Sequence, residues 1–465
     1  MLLLDKIKSF SKDTLYYGMS SVLSRLVGFL LVPLYTRYLS PSDYGVMTLL
    51  SFYTLFFSPI SHLGLQGAMF RYVGMAKSEN EEGIIISSAF KAILINSLIL
   101  TTVSILLIKP LEIFLLKSYD YSLLLYLTII TSFFSGLAQV LISFLRVKRQ
   151  VKRIFYINLF KIFFGVFLTI YLIVYQGLGI SGAIYGLFFT SIVSLILLLL
   201  MIKLPLKHRL DLLYLKKMLK YGLPNLPKYI QAIIMGLFGQ YYISKYLSIT
   251  ELGLYSVAWK FCIPLVVVSS MVINSWNAYK FDLLKKKTSR KVFSQFSNLF
   301  ILLFCFVFLI VSLWGGDLLI IFTDQKYHSA SVYVPYLCLI PLFTALYQAV
   351  STYISFGENQ TLNPYIGTTG LVVTVVASIL LIPKLSIIGV AYATSLGWFA
   401  MNIFGYLYGQ SIFKVNFQLP RNTILIIFVV FSGLFLKNFI NEYVIIVTNL
   451  VLFSVHLYRL KNIKQ

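Results

Sequence analysis

The chain is a succession of apolar runs, each close to 20 residues long, separated by short loops. A helix rising about 1.5 Å per residue needs about 20 apolar residues to cross the roughly 30 Å hydrocarbon layer of a bilayer. Fourteen runs meet that rule, near 14–36, 44–66, 84–108, 119–142, 154–175, 180–202, 222–246, 252–274, 292–314, 331–356, 364–383, 387–408, 422–437 and 443–459. Apolar residues make up 59% of the 465, and charged residues only 12%. A soluble domain carries about 25% charged residues, so lipid must be the solvent for most of this surface. The expected class is therefore an all-α integral membrane protein. Strand alternation of the kind a membrane β-barrel requires is absent.

Charge settles the expected orientation. The net charge of +24 is concentrated in short loops, a positive-inside pattern rather than a nucleic-acid surface. Loops on the N-terminal side hold 27 Lys and Arg and those opposite hold 7. That bias places both termini in the cytoplasm, with the chain multi-pass in the cytoplasmic (inner) membrane. The three cysteines, Cys262, Cys305 and Cys338, fall in apolar segments and imply no disulfide framework. The N-terminal stretch lacks the features of a cleaved signal peptide. No phosphate-binding loop, histidine cluster or nucleophile–base constellation is present, so the reading is a transporter, not an enzyme, with no cofactor.

The chain is internally duplicated. Tyr38-Leu39-Ser40-Pro41-Ser42-Asp43-Tyr44-Gly45 is echoed by Tyr246-Leu247-Ser248-Ile249-Thr250-Glu251-Leu252-Gly253, and Gly182-Ala183-Ile184-Tyr185 by Gly389-Val390-Ala391-Tyr392. Six spans per repeat, an even number, make the repeats parallel. The expected domains are 1–203 (spans one to six), 204–408 (spans seven to twelve) and 409–465 (two further spans). Parallel repeats favour a carrier working by alternating access.

Several of these residues carry a family resemblance. Leu26–Pro33, the stretch Arg37–Gly45, Leu63-Gly64-Leu65 and Phe70-Arg71-Tyr72 resemble the polysaccharide-transporter branch of the multidrug/oligosaccharidyl-lipid/polysaccharide exporter superfamily, over roughly residues 10–410. The resemblance implies a V-shaped fold of two six-helix lobes. It also implies a flippase that moves undecaprenyl-pyrophosphate-linked oligosaccharide, as for O-antigen or capsule, from the inner to the outer leaflet. A polysaccharide polymerase and glycosyltransferases are its implied partners, beside the lipid bilayer. Three alternatives stay open: a lipid-linked peptidoglycan or teichoic-type precursor as cargo, a multidrug/cation antiporter, and a membrane polymerase.

The charges inside the spans point to chemistry without help from the resemblance. Arg25, Lys91, Lys161, Lys228 and Lys260 lie within apolar runs, and none of the 15 Asp and Glu lies in a span core. An intramembrane charge costs about 2.5–3.5 kcal/mol on insertion scales. Cations with no acid at depth are expected in a wet cavity whose counter-charge arrives with an anionic cargo, and a pyrophosphate fits. The candidate substrate-binding set is Arg25, Lys228, Lys260, Lys91, Lys161 and Arg71, the last closing span two. Lys91 and Lys161 have snorkelling to the headgroups as their alternative. Asn158, Gln231 and Asn402 are among the span amides that suit sugar hydroxyls, or hydrogen bonds between helices.

Overall fold

A computed structural model describes residues 23, 25–118, 120–148, 150–202, 207–284, 289–354, 363–412, 414, 419–435 and 442–461. Among them the chain is helical throughout, with no strand. It gathers into two compact units, Met1–Ile233 and Ile234–Gln465.

In the first unit, residues 25–30 are helical and lead to α1 (Val32–Tyr38). Then come α2 (Pro41–His62), α3 (Leu65–Met75), α4 (Glu79–Leu106), α5 (Ile108–Leu116), α6 (Ser122–Val147), α7 (Val151–Ile170, extended by a π turn through Tyr175), α8 (Gly179–Met201) and α9 (Leu212–Gly222). The unit is built around α6, which packs on α2, α4, α7 and α8. Its core joins Leu65, Met69, Ile86, Leu141, Leu145 and Met218. At the junction of α2 and α3 the chain turns through two left-handed residues, Leu63 (φ 51°) and Gly64 (φ 69°). His62 bridges that break. Its Nε2–H donates to the Gly136 carbonyl of α6 (3.1 Å), and its Nδ1 accepts from Gln66 of α3 (3.1 Å). Glu112 is fully buried where α5 meets α6, and accepts from the Tyr121 amide (2.7 Å) and the Ser122 hydroxyl.

The second unit takes over within α10 (Leu226–Tyr246). It continues through α11 (Ile249–Phe261), α12 (Ile263–Leu284), α13 (Ser289–Phe322), a 3₁₀ segment (Gln325–Tyr333), α14 (Val334–Leu337), α15 (Leu339–Ile354), α16 (Asn363–Ile412), α17 (Leu419–Leu434) and α18 (Glu442–Lys461). Here α13 is the axis, packed on α12, α15, α17 and α18. The last two helices dock through buried polar bonds: Asn422 to Asn298 (2.6 Å), Ser312 to the Gly433 carbonyl (2.8 Å) and Asn449 to Ser432 (3.3 Å). Cys262 and Cys338 each sit at a helix break, with their sulfurs 3.3 Å apart.

Eight helical stretches among the described residues are long and apolar enough to cross a membrane, and the pair α11/α12, bent by 47°, makes a ninth. The expected fourteen are thus not reproduced as a count. Residues 365–412 count as one 48-residue stretch, but its two halves fold back on each other, so that a Cβ on Gly370 would sit 3.1 Å from the Gly397 carbonyl oxygen. The stretch breaks at Ser386 (φ 52°), between the spans expected at 364–383 and 387–408. The spans expected at 422–437 and 443–459 appear as shorter apolar helices, Asn422–Leu434 and Val444–Ser454. Residues 14–22 and 24 of the span expected at 14–36 lie outside the described residues.

The duplicated motif is a pair of matching helix caps. Ser40 precedes α2, its hydroxyl accepting from the Asp43 amide (3.1 Å), while Asp43 accepts from the Ser40 amide (2.9 Å). Ser248 precedes α11 and accepts from the Glu251 amide (3.0 Å). Each cap satisfies amides that the helix leaves unbonded. Ser40→Ala and Ser248→Ala are each expected to cost about 1 kcal/mol, read as similar losses of Tm in purified protein. Unequal losses would mean the two caps are not equivalent. The second landmark repeats as well. A Cβ on Gly182 would sit 3.1 Å from the Leu172 carbonyl, and one on Gly389 would sit 2.6 Å from the Leu381 carbonyl oxygen.

Candidate functional site

Helix α7 carries two stripes of opposite character. Tyr156, Phe160, Phe163, Phe167 and Tyr171, spaced by three and four, are all exposed and form a face suited to acyl chains. The other stripe is Asn158, Lys161, Gly165 and Thr169, again spaced by three and four. It lines a cavity of about 430 Å³ inside the first unit. Val27, Gly28, Leu31 and Tyr35 form a second wall, Leu187 and Thr190 of α8 a third, and Arg146 at the end of α6 completes it. Small residues permit the approach of α7 to α8: Gly186 lies against Thr169, and a Cβ on Gly165 would sit 3.2 Å from Thr190 Oγ1. Tyr35 and Thr169 both line the cavity, from two of its walls.

Lys161 is the centre of this site. It stands ten residues into α7, about 15 Å from the helix start, and is half-buried. Among the described residues its ammonium has no hydrogen-bond or ion-pair partner. The cavity therefore presents a primary cation, an amide (Asn158) and hydroxyls (Thr169, Thr190, Tyr35), with Arg146 as a second cation. Such a set can bind an oxyanion and donate to neighbouring hydroxyl groups.

The candidate cations separate in the structure. Arg25, half-buried, is one turn before Gly28 on the same helix face, and is not itself among the residues that line the Lys161 cavity. Lys91 donates to the His208 carbonyl at 2.7 Å, and Arg71 is exposed with its guanidinium 4.7 Å from the Tyr221 ring centre. Both are engaged with the segment around α9. Lys260 lies in the last turn of α11 in the second unit, half-buried, with no partner among the described residues. Lys228 is in α10, and its side chain lies outside the described residues. Sequence reasoning missed Tyr35, Thr169, Thr190 and Arg146. The signal that finds them is the polar stripe of α7 opposite its aromatic one.

The second repeat keeps this stripe and changes its chemistry. Asn158, Lys161, Gly165 and Thr169 correspond at one constant spacing to Asn363, Ile366, Gly370 and Thr374. Ile366 is 5% exposed and packs with Met235, Ile354, Met401 and Trp398. The lysine's place is thus filled by an apolar cluster. A cavity of about 710 Å³ in the second unit is also apolar, walled by Phe343, Phe399, Ile427 and Phe431. Its amides are already committed: Asn402 donates to the Phe343 and Trp398 carbonyls, and Asn422 to Asn298.

An all-α, multi-pass membrane protein with duplicated caps and one cationic cavity is the class that this fold and site define. A family model described as "Polysaccharide biosynthesis protein" matches residues 34–276, and the chain belongs to that family. Solved structures agree on the architecture. The lipid II flippase MurJ, in an inward closed conformation, superimposes with a TM-score of 0.70 at 18% identity, covering 96% of this chain and 99% of its own. An inward-facing multidrug resistance MATE family transporter of the MOP superfamily gives 0.65 at 14% identity, covering 86% and 94%. A MOP superfamily transporter from Pyrococcus furiosus, described as having a binding pocket of reversed polarity, gives 0.63 at 14% over the same shares. At these identities the likeness is one of fold. No curated protein sequence matches the chain significantly.

Proposed function

We propose that the chain is a flippase that moves undecaprenyl-pyrophosphate-linked oligosaccharide from the inner to the outer leaflet of the cytoplasmic membrane by alternating access. The observation that carries this reading is Lys161, without a partner among the described residues, in a cavity that also presents Arg146, the Asn158 amide and the hydroxyls of Tyr35, Thr169 and Thr190 among apolar side chains. A buried cation without an acid is costly in a membrane protein, and the diphosphate of a lipid carrier supplies the missing charge. Arg25 on the adjoining helix face adds a second phosphate ligand, and Asn158, Thr169 and Thr190 suit the first sugar hydroxyls. The apolar cavity of the second unit suits a polyprenyl chain. The residues 1–203 and 204–408 act as the two lobes of the carrier, with 409–465 appended to the second. Membership of the polysaccharide biosynthesis family supports a sugar-bearing cargo. The cationic cavity argues against a cation antiporter, which needs acids to hold its cargo.

The test is lipid analysis of a deletion strain. Lipid-linked oligosaccharide is expected to accumulate on the cytoplasmic leaflet, and the wild-type chain to clear it. Accumulation of lipid-linked peptidoglycan precursor instead would transfer the reading to that cargo. No accumulation of either would overturn it.

A further inference from the structure

The segment joining the two repeats is not a free tether. His208 has its carbonyl held by Lys91 (2.7 Å) and by the Ser87 hydroxyl (2.9 Å). The Asp211 amide donates to Ser88 (2.9 Å), and the Asp211 carboxylate caps α9 by accepting from the amides of Leu213 and Tyr214. Tyr214 donates its phenol to Glu81 (2.6 Å), a bond that holds the phenol above its ordinary pKa. Tyr72 donates to the Lys217 carbonyl (3.3 Å), Arg71 stacks on Tyr221, and Gly222 meets the Gly64 backbone. Met218 is fully buried in the core of the first unit, with Leu215 and Leu219 packed beside it. One face of α9 is thus clamped across the ends of α3 and α4, at the end of a span.

The opposite face has a composition that clamping does not explain. Leu212 (72% exposed) and Leu213 (62% exposed) project from the protein. Lys216 and Lys220 follow them at helical spacing and are exposed too, as is Lys217 at the edge of this face, its ammonium 5.2 Å from the Tyr214 ring centre. Lys207 and Arg209, just upstream, are likewise exposed, and residues 212–223 contain no acid. Bare leucines facing water are costly, and leucines beside lysines on a helix at the end of a span have a natural environment. The leucines enter the acyl boundary while the ammonium groups meet phosphates.

We infer that the outward face of α9 is a binding surface for acidic phospholipid headgroups, with Leu212 and Leu213 as the apolar anchor and Lys216, Lys217 and Lys220 as the phosphate contacts. The occupant is the anionic lipid of the membrane that holds the chain, because the surface is uniformly basic and sits where the spans end. In this arrangement Lys91, Arg71, Tyr72 and Glu81 are positioning residues that aim the lipid-binding face. The inference is independent of the cargo, since it requires only that the chain be a membrane protein.

The experiment uses the full chain in phosphatidylcholine nanodiscs containing increasing phosphatidylglycerol, read as Tm. Tm is expected to rise with the anionic fraction. In Lys216→Gln/Lys217→Gln/Lys220→Gln it is expected to be unchanged in phosphatidylcholine alone, while the rise with phosphatidylglycerol is largely lost, each lysine removed weakening the affinity for anionic lipid by about fivefold. A second readout does not depend on that variant folding well. A bimane label on Leu213→Cys, in a chain with its three native cysteines replaced by serine, is expected to be quenched by doxyl-labelled lipid. Both results are required. A triple variant that titrates like the wild type, or a label that doxyl lipid does not quench, overturns the inference. An unquenched label would instead assign the face to a soluble acidic partner.

Discussion

Lys161→Met is expected to abolish export of the lipid-linked cargo while leaving the protein at least as stable as the wild type. The two effects have one physical origin. The ammonium stands in a cavity with no partner among the described residues, so the folded chain bears its desolvation without return. Methionine keeps the length and apolar stem and removes about 2.5–3.5 kcal/mol of insertion cost. Loss of a charged contact to phosphate takes away about 2–3 kcal/mol, or about 30–150-fold in cargo affinity. Complementation of a flippase-null strain, cargo binding and Tm together check this, and Lys161→Arg should retain part of the function. Arg25→Ala and Lys228→Ala are expected to fail in the same complementation while still inserting. A Lys161→Met protein that exports normally would remove Lys161 from the site. One that unfolds would show the lysine to be structural.

Gly64→Ala is expected to be among the most destabilising single-methyl changes in the chain. Gly64 is left-handed, at φ 69°, and a Cβ there would run into the carbonyl of Gly222. The backbone conformation costs a non-glycine residue about 1–2 kcal/mol, and overpacking against main chain adds about 1–3 kcal/mol. Gly222→Ala meets the same crossing from the other side, 2.8 Å from the Gly64 carbonyl carbon. Gly67 is the internal control. It lies in the same helix with no atom within 4 Å of its would-be Cβ, so Gly67→Ala should stabilise by about 0.5–1 kcal/mol. Thermal unfolding of the three variants measures the contrast. Equal Tm values for Gly64→Ala and Gly67→Ala would contradict the close crossing of α3 and α9.

Expectations from sequence held where the physics is local. The membrane class follows from run length and composition. The duplication was visible because the Ser-x-x-acid caps before α2 and α11 occupy consecutive residues. Counting spans was less secure, because a hydropathy run does not reveal a bend such as the one of 47° between α11 and α12, although the break at Ser386 falls between the two spans expected there. The cations within the apolar runs could be named from the sequence. Their division could not: Lys91 and Arg71 look like Lys161 in a sequence, and only the folded chain shows them holding the segment around α9.

What the sequence determined by itself is the solvent of this protein, its internal repetition and the presence of basic groups within its apolar runs, since hydrophobic transfer and helix capping act over one turn or one span. The tertiary structure decided which of those groups share a cavity, because that depends on residues far apart in the chain meeting face to face. It brought the polar stripe of α7 to Tyr35 and Thr190, and buried Ile366, the counterpart of Lys161 in the second repeat, among Met235, Met401 and Trp398. One substitution, lysine in the first repeat and isoleucine in the second, makes two similar helices chemically unlike. A buried charge needs water or a counter-charge, and a buried isoleucine needs only neighbours.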